Sequence, residues 1–242
     1  MGKVIMSGIV PTLKAPVKGM LASSLAVGST VKLMEGGTAV EYLVVNQGIP
    51  ENSSLYDASC DGTWLLRKDI HSTRQWNTSD VSKYETSAIN TWLNGDFFNS
   101  LGSVEQAAIK QVKIPYRKNG GSDSTNQSGT NGLPCKVFLL SGYEVGWTTS
   151  DSSYLPVDGA KLDYFTASSD GDSKRIAKLN GSADGWWLRS PYTGDTGIVC
   201  FVGGNGSYYF SNASISRGIR PALILPKTAL FDEATMLLKG VA

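Results

Sequence analysis

The chain has little of what most catalytic sites are built from. Among 242 residues there is one histidine, His71, and there are three cysteines, Cys60, Cys135 and Cys200. A single histidine excludes a histidine-based metal cluster. A Ser-His-Asp arrangement would have to use His71, and no G-x-S-x-G elbow accompanies it, so His71 is read as a structural residue. The cysteines are odd in number and far apart, without a C-x-x-C pair, which argues against both a zinc site and a disulfide framework and points to synthesis in a reducing compartment. Asp170 and Asp172, in "SSDGDS", share the opening spacing of a calcium loop but lack its later ligands and closing glutamate, so a turn is expected. Neither cofactor nor metal is expected.

Charge is scarce too. Lys, Arg, Asp and Glu make up 18% of residues, and 22 basic against 21 acidic side chains leave a net charge of +1. No basic stripe suggests nucleic acid. No run of 18 apolar residues exists, so no membrane insertion is expected. The stretch "KGMLASSLAVGS", Lys18 to Ser29, starts late and is rich in serine for a signal peptide, so it is read as ordinary structure.

What is abundant is glycine, 27 residues, together with Ser, Thr and Asn, beside 10% aromatic and 41% hydrophobic residues. That composition predicts a sizeable core carrying much irregular backbone. Residues 1–25, with Pro11 and Pro16, read as an extended N-terminal arm, a candidate docking segment, ahead of one domain over 26–242. Alternating runs around Gly36-Gly37-Thr38 predict a hairpin, and "GTWLLRKDI" a strand. Ile89, Trp92, Leu93, Phe97 and Leu101 recur at helical spacing, with Ser87 or Thr86 as cap and Gly102 as stop. A second helix is predicted from Ser103 to about Gln111, opened by a Ser103–Gln106 capping box. Strands at "VKIPY" and "KVFLLS" flank a stretch, Arg117 to Pro134, whose composition predicts a mobile loop. Ser141 with Glu144 predicts a short helix, and "AKLDYF" another helical piece. The order of elements makes the fold class α+β, with two helices, short antiparallel strands and long loops.

Near the C-terminus two firm segments, "WWLRSP" (Trp186 to Pro191) and "GIRPAL" (Gly218 to Leu223), enclose a soft one. In the first, strand alternation separates Trp186 and Leu188 from Trp187 and Arg189. Arg189 and Arg220 are expected to pair with carboxylates or brace carbonyls as scaffold, and Pro221 to sit at an edge or a strand start. Between the segments, Tyr192 to Ile215 holds only Tyr, Thr, Gly, Asp, Ile, Val, Cys, Phe, Asn, Ser and Ala. Asn205-Gly206 is a hairpin turn pair rather than a phosphate loop, because no helix pattern follows it. Tyr208, Tyr209 and Phe210 place aromatics on both faces of a strand, so at least one ring is exposed. Tyr with Ser, Gly and Asn is the composition of antibody-like binding loops; an ordinary Gly/Ser-rich meander with its aromatics in the core has equal standing on these grounds.

The frame "WWLRSP…RGIRPAL", with "KVFLLS" and "INTWLNGDFFNSL" upstream, resembles a family of phage and gut-bacterial proteins of C-type-lectin-like fold, over roughly Leu43 to Pro226. Its C-terminal part looks like the variable region of proteins diversified by retroelements. In such systems template adenines are copied with errors. Asn codons ending in a pyrimidine can then become every residue type found from 192 to 215, and cannot become Lys, Glu, Gln, Met or Trp. The resemblance implies a ligand-binding, non-enzymatic protein with a hypervariable face made by Tyr192, Thr193, Asp195, Thr196, Ile198, Cys200, Asn205, Tyr208, Phe210, Asn212 and Ser214. Tyr209 is expected to turn inward. The implied partner is a protein or glycan on a bacterial surface, with phage tail proteins as possible contacts of the N-terminal arm, and the implied location a virion tail or a bacterial cell surface. Calcium-dependent sugar binding does not carry over, since the Glu-Pro-Asn ligand motif and the disulfides of vertebrate lectins are missing. The alternatives are an enzyme of the formylglycine-generating type, which needs an active cysteine pair, and a structural tail or adhesin protein without a diversified site.

Overall fold

In a computed structural model, residues 19–51, 53–122, 125–167 and 171–242 are described. The strands in chain order are β1 (Gly19–Leu21), β2 (Thr30–Glu35), β3 (Thr38–Gln47), β4 (Thr63–Arg67), β5 (Thr73–Gln75), β6 (Val112–Ile114), β7 (Tyr116–Arg117), β8 (Asn126–Gln127), β9 (Leu133–Cys135) and β10 (Val137–Phe138). After a long irregular stretch come β11 (Ala177–Leu179), β12 (Ser182–Asp184), β13 (Trp186–Pro191), β14 (Ile198–Val202), β15 (Tyr208–Asn212), β16 (Ser216–Gly218), β17 (Ala222–Leu225), β18 (Ala229–Asp232) and β19 (Leu238–Val241). The result is a mixed α+β fold dominated by short strands.

Two five-stranded sheets organise it. The first has the order β10-β17-β4-β3-β2, the second β15-β14-β13-β16-β5. The β2–β3 hairpin turns at Gly36 and Gly37, both at positive φ (53° and 82°), the conformation that a two-residue turn needs and that glycine adopts at no steric cost. Pro221 lies immediately before β17, and its carbonyl accepts from Arg67 N. An interior strand thus begins just after the residue that cannot donate.

The helical pattern holds. The chain is helical from α1 (Ala88–Trp92) through a wider π turn (Leu93–Phe97) to α2 (Phe98–Ser100). Ile89, Leu93 and Phe97, four apart, form its buried face. Ser87 caps it, its Oγ accepting from Asn90 N at 3.2 Å. Asn94 joins this helix to the first sheet: its Oδ1 accepts from Lys136 N and Val137 N, and its Nδ2 donates to Val137 O. α3 (Ser103–Ala108) follows.

Several expectations need correction. Gly102, not Ser103, occupies the cap of α3, and the Gln106 amide donates to Leu101 O at 2.7 Å, so no capping box forms. Ser141 and Glu144 do exchange backbone-to-side-chain hydrogen bonds, but turns rather than a helix follow. "AKLDYF" is likewise a turn. The stretch from Arg117 to Pro134, outside residues 123 and 124, carries β8 and most of β9 and pairs with β7 and β6. Of the expected N-terminal arm, residues 1–18 lie outside the described residues. Residues 19–21 are β1, paired with β18, which places that part of the arm in the folded body.

Candidate functional site: an aromatic strip on a buried frame

The site is built on β13. All six of its residues are buried, including both tryptophans. Alternation would have allowed one to face outward, but the second face of this strand is covered as well. Each indole nitrogen is satisfied: Trp186 Nε1 donates to Arg175 O at 2.9 Å and Trp187 Nε1 to Arg74 O at 3.0 Å.

Arg189 is the anchor of the frame. Its Nε donates to Pro115 O (2.9 Å). Nη1 reaches Leu139 O (2.9 Å) and Glu144 Oε2 (2.6 Å), and Nη2 reaches Glu144 Oε1 (2.7 Å) and Asp158 O (2.8 Å). The side chains of Arg189 and Glu144 are both 0% exposed. Burial disfavours the guanidinium charge, but the Glu144 carboxylate outweighs it and holds the Arg189 pKa above its ordinary value. Around the pair, Tyr56 OH donates to Glu144 Oε1 and accepts from Ala160 N. Ser190 Oγ donates to Asp158 Oδ2 at 2.7 Å and accepts from Gly142 N. Burial raises the Asp158 pKa to about 6, against the pull of Arg189 and the Ser190 hydroxyl.

Outward from this frame lie β14 and β15, closed by a turn with Gly206 at φ 82° and Gly206 N donating to Gly203 O. Residues directly opposite in an antiparallel pair share a face. One face therefore carries Ile198 with Asn212, Cys200 with Phe210, and Val202 with Tyr208; the other carries Val199 with Ser211 and Phe201 with Tyr209. On the first face the rings form a row. Tyr154 stacks on Tyr192 (centroids 4.3 Å, planes 22° apart), Tyr192 meets Phe210 edge-on (4.8 Å), Phe210 meets Tyr208 (6.1 Å), and Tyr208 meets the buried Trp147 (5.7 Å). Tyr154 is 46% exposed; Tyr192, Tyr208 and Phe210 are half-buried. Tyr208 is further fixed by donating its hydroxyl to Asp151 O at 2.8 Å.

The loops beside the row are pinned through backbone groups. Thr193 N donates to Tyr154 O, and Ser82 N to Thr196 O. Asp195 Oδ1 accepts from Gly197 N. Asp80 holds the far edge: its Oδ2 accepts from Asn212 Nδ2 (2.8 Å) and its Oδ1 from Ser214 N (3.0 Å). Those bonds, the Ser214 ones first, lower the Asp80 pKa.

Nine of the eleven expected face residues thus gather on the row or on its adjoining loops: Tyr192, Thr193, Asp195, Thr196, Ile198, Tyr208, Phe210, Asn212 and Ser214. Two do not. Cys200 is 0% exposed; as the middle residue of an interior strand it lies beneath the row, and burial pushes its thiol pKa well up. Asn205 is exposed but stands in the hairpin turn, where its Nδ2 donates to the hydroxyl of Tyr209 on the other face of the sheet. Tyr209 was expected to point inward and is instead the most exposed residue of its strand among the aromatics, at 46%. The inner position opposite it belongs to Phe201, which Tyr209 covers at 5.5 Å. Sequence reasoning missed Tyr154 and Asp80. Each lies in an aperiodic loop and is brought to the strip by tertiary structure alone.

His71 and Asp172 have structural places. The His71 ring lies half-buried between Trp92 and Phe97 (5.3 and 5.4 Å). Asp172 accepts from Lys174 N at the start of a short turn, while Asp170 lies outside the described residues. Among the described residues no group of three His, Cys, Asp or Glu could hold a metal, and no helix is long and apolar enough to cross a membrane.

Fold and site together define a mixed α+β protein that carries a half-exposed aromatic strip on a buried tryptophan–arginine frame. A family model described as a domain of unknown function, DUF6273, matches residues 61–227. That span contains the frame, the strip and the first-sheet strands β4, β10 and β17, and the chain belongs to this family. No curated protein and no solved structure matches the chain.

Proposed function

We propose that this is a non-enzymatic binding protein that displays a recognition face on a C-type-lectin-like scaffold, and that the face is diversified by a retroelement. The observation that carries the reading is the row Tyr154–Tyr192–Phe210–Tyr208: stiff rings with part of their surface open, two on a strand and two on loops, held by backbone bonds. Large rigid aromatics give contact area at little entropic cost, and Asn212, Thr193 and Asp195 beside them offer directional bonds. The restricted residue set from 192 to 215 supports diversification, and the two helices, short antiparallel strands and long loops support the scaffold. The proposed ligand is a protein or glycan of a bacterial surface, and the proposed location a phage tail or a cell surface. The formylglycine-type alternative loses support, because its reactive cysteine would have to be Cys200, which is buried with its thiol pKa raised.

The test is the triple substitution Tyr192→Ser, Tyr208→Ser, Phe210→Ser, assayed on a panel of bacterial cells and surface glycans that the parent protein binds. Because the rings are half-buried, folding should cost only about 1–2 kcal/mol per ring. Binding should fall by ≥ ~2 kcal/mol per anchor, more than about thirtyfold each. A folded variant with parental binding would move the site elsewhere, first to the Arg117–Pro134 region. Separately, sequencing the gene's neighbourhood should reveal a reverse transcriptase and a near-repeat of codons 192–215 differing at adenines. Their absence would end the diversification part of the proposal and leave the binding part standing.

A further inference from the structure

Among the described residues three arginines, Arg175, Arg189 and Arg220, are fully buried. Arg189 uses every N–H it has. Arg220 does not. Its Nε donates to Arg67 O at 2.8 Å and its guanidinium lies 4.9 Å over the Trp186 ring, yet Nη1 is buried without a protein acceptor. Among the described residues Arg220 forms no ion pair. A buried charged donor left unmatched is costly, and native structures rarely retain one without a use.

Arg220 lines a cleft of about 530 Å³, the size of a small-molecule site. Lys68, Lys174 and Lys178 line it too, against one carboxylate, Asp69, while Tyr164 supplies an aromatic wall. Lys68 is held by Glu41 at 2.7 Å. Lys174 and Lys178 are exposed and make no ion pair among the described residues. Burial lowers the Arg220 pKa to about 10, so the group stays cationic at neutral pH. The cleft shares no residue with the aromatic strip.

We propose that this cleft binds a small organic oxyanion, a phosphate monoester or a carboxylate, with an anionic oxygen accepting from Arg220 Nη1 and Lys174 and Lys178 neutralising the remaining charge. The fixed donor fork of arginine suits either group. A ligand on the far side of the guanidinium from Trp186 would also change the surroundings of that indole, which gives the binding a signal.

The full chain is titrated with inorganic phosphate, glucose 6-phosphate and glucuronate, each against sodium chloride of matched ionic strength, following tryptophan fluorescence and heat. The expected result is a saturable change with at least one of the three, weakened about tenfold or more in Lys174→Ala/Lys178→Ala. These lysines are exposed, so that variant tests the cleft without removing a buried group. Response to the two phosphates alone identifies a phosphoryl ligand, and response to glucuronate alone a carboxylate. The proposal is overturned if all three anions behave as sodium chloride does up to tens of millimolar, or if the double variant binds as tightly as the parent.

Discussion

β13 and β15 lie in one sheet with a single strand, β14, between them, and they are opposite in kind. Every residue of β13 is buried, whereas no residue of β15 is. In β13 the side chains hold the fold: two indoles and one guanidinium are each bonded to backbone of a distant segment. In β15 the side chains lie on the fold, and what places the strand is its ladder with β14, from Ile198↔Asn212 to Val202↔Tyr208. Ladder bonds are made by groups that every residue but proline has. A strand positioned that way can change its side chains and keep its course, which is what a variable recognition face would require.

The sharpest way to break the comparison is to cut large side chains from β13. Arg189→Ala leaves Glu144 buried and unpaired and strips three carbonyls of a donor, so about 3–5 kcal/mol of stability should be lost. Trp187→Ala should cost a similar ~3–5 kcal/mol through the cavity it leaves. Urea titration measures both. Should either variant unfold at the parental midpoint, β13 would not be the frame.

A smaller effect, of about 3 kcal/mol at most, is expected from Asp158, which belongs to the frame through Ser190. Its folded pKa of about 6 lies above the ordinary 3.8. The folded state therefore keeps a proton that the unfolded chain releases. The protonated carboxyl stabilises the fold below about pH 4, and that contribution is lost as the pH rises to about 6. Asp158→Asn, neutral at all pH, should flatten this segment of the stability profile. A parental slope between pH 4 and 6 in that variant would assign the titration to another group.

The frame was legible in the sequence because its residues are chemically extreme. Scaffold was the right reading for Arg189, while strand alternation left one of the two adjacent tryptophans free to face outward and both are buried. What the sequence hid is where the partners are: Glu144 and Asp158 lie 45 and 31 residues from Arg189 in segments with no periodicity. The strip was legible in part. Alternation correctly put Tyr208 and Phe210 together on one face, but could not say which face is covered, since both sides of β15 are partly packed. The same ambiguity misplaced Tyr209, whereas Cys200 was counted on the face through the family resemblance alone, although its apolar run, Ile198 to Val202, fits the burial it has. Local hydrogen-bond patterns misled where a tertiary bond competes, as at Gln106, whose amide reaches back to Leu101 rather than to the start of its own helix.

The smallest effect is expected where the two faces of β15 are compared with each other. Tyr209 shares the strand with Tyr208 and Phe210 but stands on the opposite face, against Phe201 and away from the row. Replacing it by Ser removes one stacked contact at 5.5 Å and the Asn205 bond at 3.3 Å. Phe201, only 7% exposed in the parent, keeps Arg217 over its ring at 3.8 Å. The stability loss should therefore stay within about 1 kcal/mol, near the range of ordinary surface substitutions. Binding to the same cells or glycans should be unchanged within about twofold, because a ring on the far side of the sheet cannot touch a ligand seated on the row. Paired with the triple variant of the row, this single substitution separates face from strand. If Tyr209→Ser abolishes binding while the row can be emptied without effect, recognition uses the Phe201–Tyr209–Arg217 side, and the strip of Tyr154, Tyr192, Phe210 and Tyr208 is packing.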